Sequence, residues 1–124
     1  HVAAYEANSQ TTPLGYILTM EGADPLLSPD TVDEFYQHGL RCLGLTHYGT
    51  NRYGGGTRSH AGLSFSAIEL LKRCSNLGIT IDMTHLSDAA FEDVLNHFDG
   101  RIHASHQNSR RLSNWQRQFT DDQY

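Results

Sequence analysis

Short apolar runs alternate with helix-forming segments along most of this 124-residue chain, and that alternation narrows the folds open to it more than any other feature. Residues 16–20, 42–45, 79–83 and 102–104 form runs too short for a stable helix and mostly bounded by glycine. They read as buried strands. Between them, three segments carry apolar residues at helical spacing. In the first, Ser28 suits the cap, Pro29 the first helical position, Val32, Phe35 and Tyr36 the apolar stripe, and Gly39 the stop. Leu27 and Val32 fit a hydrophobic staple. The second opens on Ser66 and Glu69 as a capping box, buries Ala67, Leu70, Leu71 and Cys74 along one face, and ends at Gly78. The third starts at Ser87, repeats Phe91, Val94, Leu95 and Phe98, and stops at Gly100, with Leu86 and Phe91 placed as a staple. Strands joined by helices imply right-handed crossovers and a parallel sheet, so the fold class is α/β, with the strands ordered as in a (β/α) barrel.

Residues 48–63 break the pattern. They form a long loop with Gly54, Gly55 and Gly56 in a row, and a loop of this length in a compact domain is usually functional or mobile. A phosphate cradle is the weaker reading, because the Lys-Ser/Thr ending and the direct strand-to-helix turn of a P-loop are absent.

Composition adds limits. A formal charge of -5 argues against a nucleic-acid partner, which would call for a basic face. No run approaches the roughly 18 apolar residues of a membrane span, and the first residues lack signal-peptide order. The start at His1 rather than Met suggests that upstream sequence has been removed. Cys42 and Cys74 lack the paired spacing of a zinc or redox motif and read as free buried thiols. Eight histidines are the unusual item.

Each strand finishes on a residue able to bind metal or move protons: Glu21, His47, His85 and His106. One such residue means little, since a histidine at a strand end is commonly a hydrogen-bonded structural group. Four together point to the carboxyl rim of a (β/α) barrel, where strand ends converge and active sites are built. Imidazoles with a carboxylate suit zinc better than magnesium, and a carboxylate has two oxygens that can bridge two ions.

The segments Leu45-Thr46-His47, Ile81-Asp82-Met83-Thr84-His85 and Ala104-Ser105-His106, with Thr19-Met20-Glu21-Gly22 and Arg117-Gln118-Phe119-Thr120-Asp121-Asp122, resemble the membrane (renal) dipeptidase family over nearly the whole chain. The 21 residues from His85 to His106 and the 11 from His106 to Arg117 also suit that family. The resemblance implies a parallel (β/α) barrel fragment spanning residues 1–124, about half of a TIM-like barrel of a bacterial-type member, with strands missing on both sides. It implies two zinc ions in the complete enzyme, bridged by Glu21, with His85 and His106 as the remaining ligands of one of them. His47 resembles a catalytic, substrate-contacting residue close to the scissile carbonyl, and Arg117 resembles a residue that helps to hold the substrate. The implied reaction is hydrolysis of dipeptides by a metal-activated water. The alternatives are a related amidohydrolase or lactonase, or a non-catalytic binding module.

Departures from the family pattern matter as well. The His-x-Asp pair of its first strand, which supplies the other zinc, and a late Asp are absent from this chain. His97-Phe98-Asp99 has the letters of the pair but lies at a helix end, on the wrong rim. Gln118 stands where asparagine often follows the arginine. The piece alone is therefore expected to be inactive and to self-associate or pair with the rest of the barrel. Compartment stays open, with a bacterial cytoplasm favoured.

His1, His38, His60 and His103 read as non-ligands, Trp115 and Phe119 as packing, and Arg110 and Arg111 as solvated. Asp82 is expected to bond towards the helical layer.

Overall fold

A computed structural model describes residues 15–124, so His1 lies outside the described residues. The elements are β1 (Leu18–Glu21), α1 (Thr31–Gln37), β2 (Leu40–Gly44), α2 (Phe65–Leu77), β3 (Thr80–Asp82), α3 (Asp88–His97) and β4 (Ile102–His103). The strands form one sheet in the order β1-β2-β3-β4, and every pair is parallel. Sequence neighbours are thus sheet neighbours, each joined by a crossover that carries a helix. That is the α/β arrangement expected of four consecutive strands of a barrel.

The core lies between this sheet and its helices. Leu43, Leu45, Ile81 and Met83 from the strands and their extensions are buried with Val32 of α1, Ala67, Leu70, Leu71 and Cys74 of α2, and Ala90, Phe91 and Val94 of α3. Burying one Leu stabilises the fold by about 1.5–3 kcal/mol, so this set outweighs any single polar contact. The other sheet face is more polar: Cys42 Sγ lies 2.9 Å from His103 Nε2, and a methyl added at Gly44 would sit 3.8 Å from Asp82 Cβ. Pairing continues beyond β1, where the N–H groups of Gly22 and Ala23 donate to the carbonyls of Gly44 and Leu45. That extension fixes the backbone on which Glu21 sits.

Caps account for the helix limits. Ser87 caps α3 as expected, its hydroxyl accepting from the Ala90 N–H at 3.0 Å, and Gly78 ends α2 with φ 73°. The cap of α2 is Ser64 rather than Ser66: Ser64 is extended and accepts from the Ala67 N–H, while Ser66 and Glu69 lie within the helix. In the first helix the Ser28 hydroxyl pairs with that of Thr31 at 3.0 Å, and regular structure begins only at Thr31. Leu27 is exposed and Leu26 buried in its place, so the expected staple does not form. Leu95 is likewise exposed, and α3 stops at His97, before Phe98 turns extended.

The 48–63 loop folds back on itself through bridges between Thr50 and Gly55, Gly54 and Leu63, and Tyr48 and Thr57. Asn51 organises its tip. The Oδ1 atom accepts from the Tyr53 and Gly54 N–H groups, and the amide donates to the Leu45 carbonyl at 2.9 Å. At Gly56 a Cβ would meet the His47 carbonyl oxygen at 2.2 Å. The glycine is thus required by close backbone approach. After β4, Arg110 clamps the final segment against α3: its guanidinium takes both oxygens of Asp88, at 2.7 and 3.1 Å, and donates to the Gln116 and Gln118 carbonyls. The expectation of a solvated Arg110 is corrected by these contacts. Arg111 matches it, pairing only with Asp121 at the surface.

Among the described residues no helix is long and apolar enough to cross a membrane.

Candidate metal centre

Glu21 is the last residue of β1, whereas His47, His85 and His106 are each the third residue after the strand-ending Gly44, Asp82 and His103. Parallel strands in register therefore deliver all four to one rim. From Glu21 Oε1 the distances are 3.2 Å to His85 Nε2, 3.2 Å to His106 Nε2 and 3.7 Å to His47 Nε2. His85 Nε2 and His106 Nε2 are 3.3 Å apart. Glu21, His85 and His106 are the group of possible metal ligands found among the described residues.

Two of the imidazoles, those of His85 and His106, are oriented from behind. His85 adopts φ 71°, a left-handed conformation that strains a non-glycine residue and swings its ring over the end of β3. Its Nδ1 lies 3.0 Å from the hydroxyl of Thr57, which is fully buried. Nδ1 of His106 lies 2.8 Å from the Ser105 hydroxyl. Such contacts aim the rings and leave both Nε2 atoms facing Glu21. Burial, then the positive charge of Arg117, pushes the pKa of His85 down to about 4, against the opposing pull of Glu21. A neutral imidazole results, the form that binds metal.

The separations test whether zinc suits the site. Tetrahedral zinc with N and O bonds of about 2.0–2.2 Å spaces its ligand atoms about 3.3–3.6 Å apart. Glu21 Oε1, His85 Nε2 and His106 Nε2 stand 3.2–3.3 Å from one another. The donor set suits a divalent cation such as zinc, and the spacing stands at the short edge of that range, where three acceptors repel unless a cation or proton lies between them.

These groups open into a cleft of about 450 Å³ lined by Glu21, His47, Tyr48, His85, His106, Trp115, Arg117 and Gln118. Trp115 borders it and is partly exposed, a correction to its reading as packing, whereas Phe119 does pack, its ring 5.1 Å from Phe91. Arg117 is largely buried; its guanidinium donates to the His106 carbonyl at 2.8 Å and to Gln107 Oε1. His97 and Asp99 are exposed at the far end of α3. His38 bonds within its own helix turn, His103 meets Cys42, and His60 is exposed.

Asp82 departs from expectation. Its Oδ1 accepts from the Thr84 and Ser105 N–H groups at 3.0 and 3.1 Å, and its Oδ2 from the Ser105 hydroxyl. It therefore faces the segment that follows β4. Burial opposes its charge, yet the bonds from Ser105 and Thr84 outweigh that and hold its pKa below the usual value. Sequence reasoning also missed Thr57 and Ser105. One signal was present: a hydroxyl residue precedes each rim histidine, at Thr46, Thr84 and Ser105.

The family model for membrane dipeptidase matches residues 1–124. The chain belongs to the membrane dipeptidase family. Relatives of this chain include an uncharacterized protein in the PQQ-III 3' region of Acinetobacter calcoaceticus, 34% identical over 119 residues, covering 89% of the chain and 38% of the relative. Dipeptidase verJ of Clonostachys rogersoniana is 30% identical over 99 residues, covering 77% and 26%. Among solved structures, a metallo peptidase from Rhodobacter sphaeroides liganded with a phosphinate mimic of the dipeptide L-Ala-D-Ala superposes with a TM-score of 0.76 at 30% identity, over 86% of this chain and 33% of that one. The dipeptidase neighbours have a TIM-barrel-like fold, and this chain spans about a third of their length.

Proposed function

We propose that this chain carries one zinc-binding half of a dipeptidase active site, with Glu21, His85 and His106 as ligands and His47 and Arg117 as substrate contacts. The observation that supports it most is the spacing of 3.2–3.3 Å between Glu21 Oε1, His85 Nε2 and His106 Nε2. Oε1 of Glu21 makes all three contacts with the histidines, which leaves Oε2 to bridge to a second ion. The chemistry supplied on metal binding is Lewis acidity and a water made acidic near neutral pH. His47 is half exposed to the cleft, 3.7 Å from Glu21, where its ring N–H can stabilise negative charge developing on a substrate oxygen. Arg117 holds one edge of the cleft, where a guanidinium suits a dipeptide carboxylate.

The second metal's His-x-Asp and the late Asp of the family have no counterpart here. This chain alone should hold a single zinc weakly and turn over no dipeptide. Among the described residues its sheet ends in unpaired edges at β1 and β4, so it should also self-associate or pair with the remainder of a barrel. Metal analysis, light scattering and a dipeptide panel on this chain and on the full-length protein test the reading. Zinc-dependent hydrolysis by the full-length protein is the expected result. Equal turnover after exhaustive chelation would overturn it.

A further inference from the structure

We propose that Asp82 and Ser105 are positioning residues for His106, acting as a relay that keeps the proton on Nδ1 and the lone pair on Nε2. The inference rests on the reading of Glu21, His85 and His106 as a zinc site, and not on the nature of the substrate. A serine hydroxyl has one proton and two lone pairs. The Ser105 oxygen is in contact with Asp82 Oδ2 and lies 2.8 Å from His106 Nδ1. A carboxylate only accepts, so the hydroxyl donates to Asp82 and must accept from His106. Nδ1 then carries the hydrogen. Nε2 is left unprotonated 3.2 Å from Glu21 Oε1 and 3.3 Å from His85 Nε2.

The orientation of Asp82 is itself fixed. Its Oδ1 takes two backbone N–H groups, those of Thr84 and Ser105, so only Oδ2 faces the hydroxyl. His103 Nε2, 4.0 Å from Oδ2, is too far to compete by hydrogen bonding. The relay crosses from β3 to the segment after β4, so it also ties the two ligand-bearing turns together.

The geometry gives Asp82→Asn an unusual consequence. The two backbone donors require the amide oxygen at the Oδ1 position, which turns the NH₂ group towards Ser105. The hydroxyl then accepts from Asn and donates to Nδ1, 2.8 Å away, in preference to the more distant Thr84 hydroxyl at 3.5 Å, and the histidine proton moves to Nε2, the atom offered to the ion. Ser105→Ala removes the relay without imposing either tautomer, and Ser105→Thr keeps the hydroxyl. Ser105 is exposed, so both changes spare the core.

Two measurements on the full-length protein test this. Long-range ¹⁵N–¹H correlation spectra of the metal-free form report the His106 tautomer, and competition with a chromophoric chelator reports zinc affinity. The wild type and Ser105→Thr are expected to show Nδ1–H and bind alike. Asp82→Asn is expected to show Nε2–H, Ser105→Ala a mixture, and both to bind zinc about 10–100-fold more weakly. An Nδ1–H tautomer and wild-type zinc affinity in both Asp82→Asn and Ser105→Ala would overturn the proposal. A wild type that binds no zinc would instead remove the metal-site reading, while the tautomer result still decides the relay.

Discussion

The hydroxyl of Thr57 lies 3.0 Å from Nδ1 of His85, joining the middle of a glycine-rich loop to a proposed ligand 28 residues further along the chain. Replacing that hydroxyl by a methyl keeps the shape and removes the hydrogen-bond partner. Thr57→Val is expected to lower zinc affinity about 10–100-fold. Chelator competition measures this directly, and wild-type affinity would show that the loop does not orient the ring.

His85→Ala and His106→Ala should each abolish both metal binding at this site and activity in the full-length enzyme. His97→Ala should change neither, because His97 sits exposed at the end of α3. Zinc content and kcat/KM of the three purified variants give the comparison, and an inactive His97→Ala enzyme would mean the rim has been misplaced.

Arg117 spends donors on the His106 carbonyl and Gln107, and the planar fork lets it do so while still facing the cleft. A lysine keeps the charge and loses the fork. Arg117→Lys should lower kcat/KM by about 10-fold or more, the scale of one lost charge-assisted hydrogen bond, with metal content unchanged. Normal KM and kcat would exclude the residue from substrate binding.

At Gly56 the obstacle to any side chain is the backbone carbonyl of His47, which cannot swing away as a side chain would. Gly56→Ala is expected to cost about 1–3 kcal/mol. Urea unfolding of the full-length protein should show the loss, and an unchanged midpoint would indicate that the loop can move off the strand end.

The low pKa of His85, about 4 against an ordinary 6.5, carries a definite sign for acid stability. The unfolded chain takes up this proton more readily than the folded one. His85 therefore contributes its full stability above about pH 6.5, and loses it as pH falls through that value towards 4. Urea titrations of the metal-free protein across this window should show falling stability. Constant stability would mean that His85 takes up its proton alike in the folded and unfolded chain.

Much of this was legible because strand ends are set by local signals. Apolar runs and glycine stops located β1 to β4 to within two residues, and parallel order then placed Glu21, His47, His85 and His106 on one rim. Ser87 was readable as a cap for the same local reason. Arg110, Asp82 and Thr57 were not, since their partners lie 22, 23 and 28 residues away and are chosen by the packed loops rather than by neighbours in the chain. Ser64 displaced Ser66 because the chain is still extended at Ser64, and no spacing rule records where extension ends.

The left-handed backbone of His85 sets a conflict between durability and work. A non-glycine residue held at φ 71° costs of order 1–3 kcal/mol, and glycine would relieve it. A thermal selection that ranks sequences by stability alone would thus favour glycine at this turn and discard the imidazole. A turn held in an uncomfortable conformation is thus one that an engineer seeking a hardier version must leave alone.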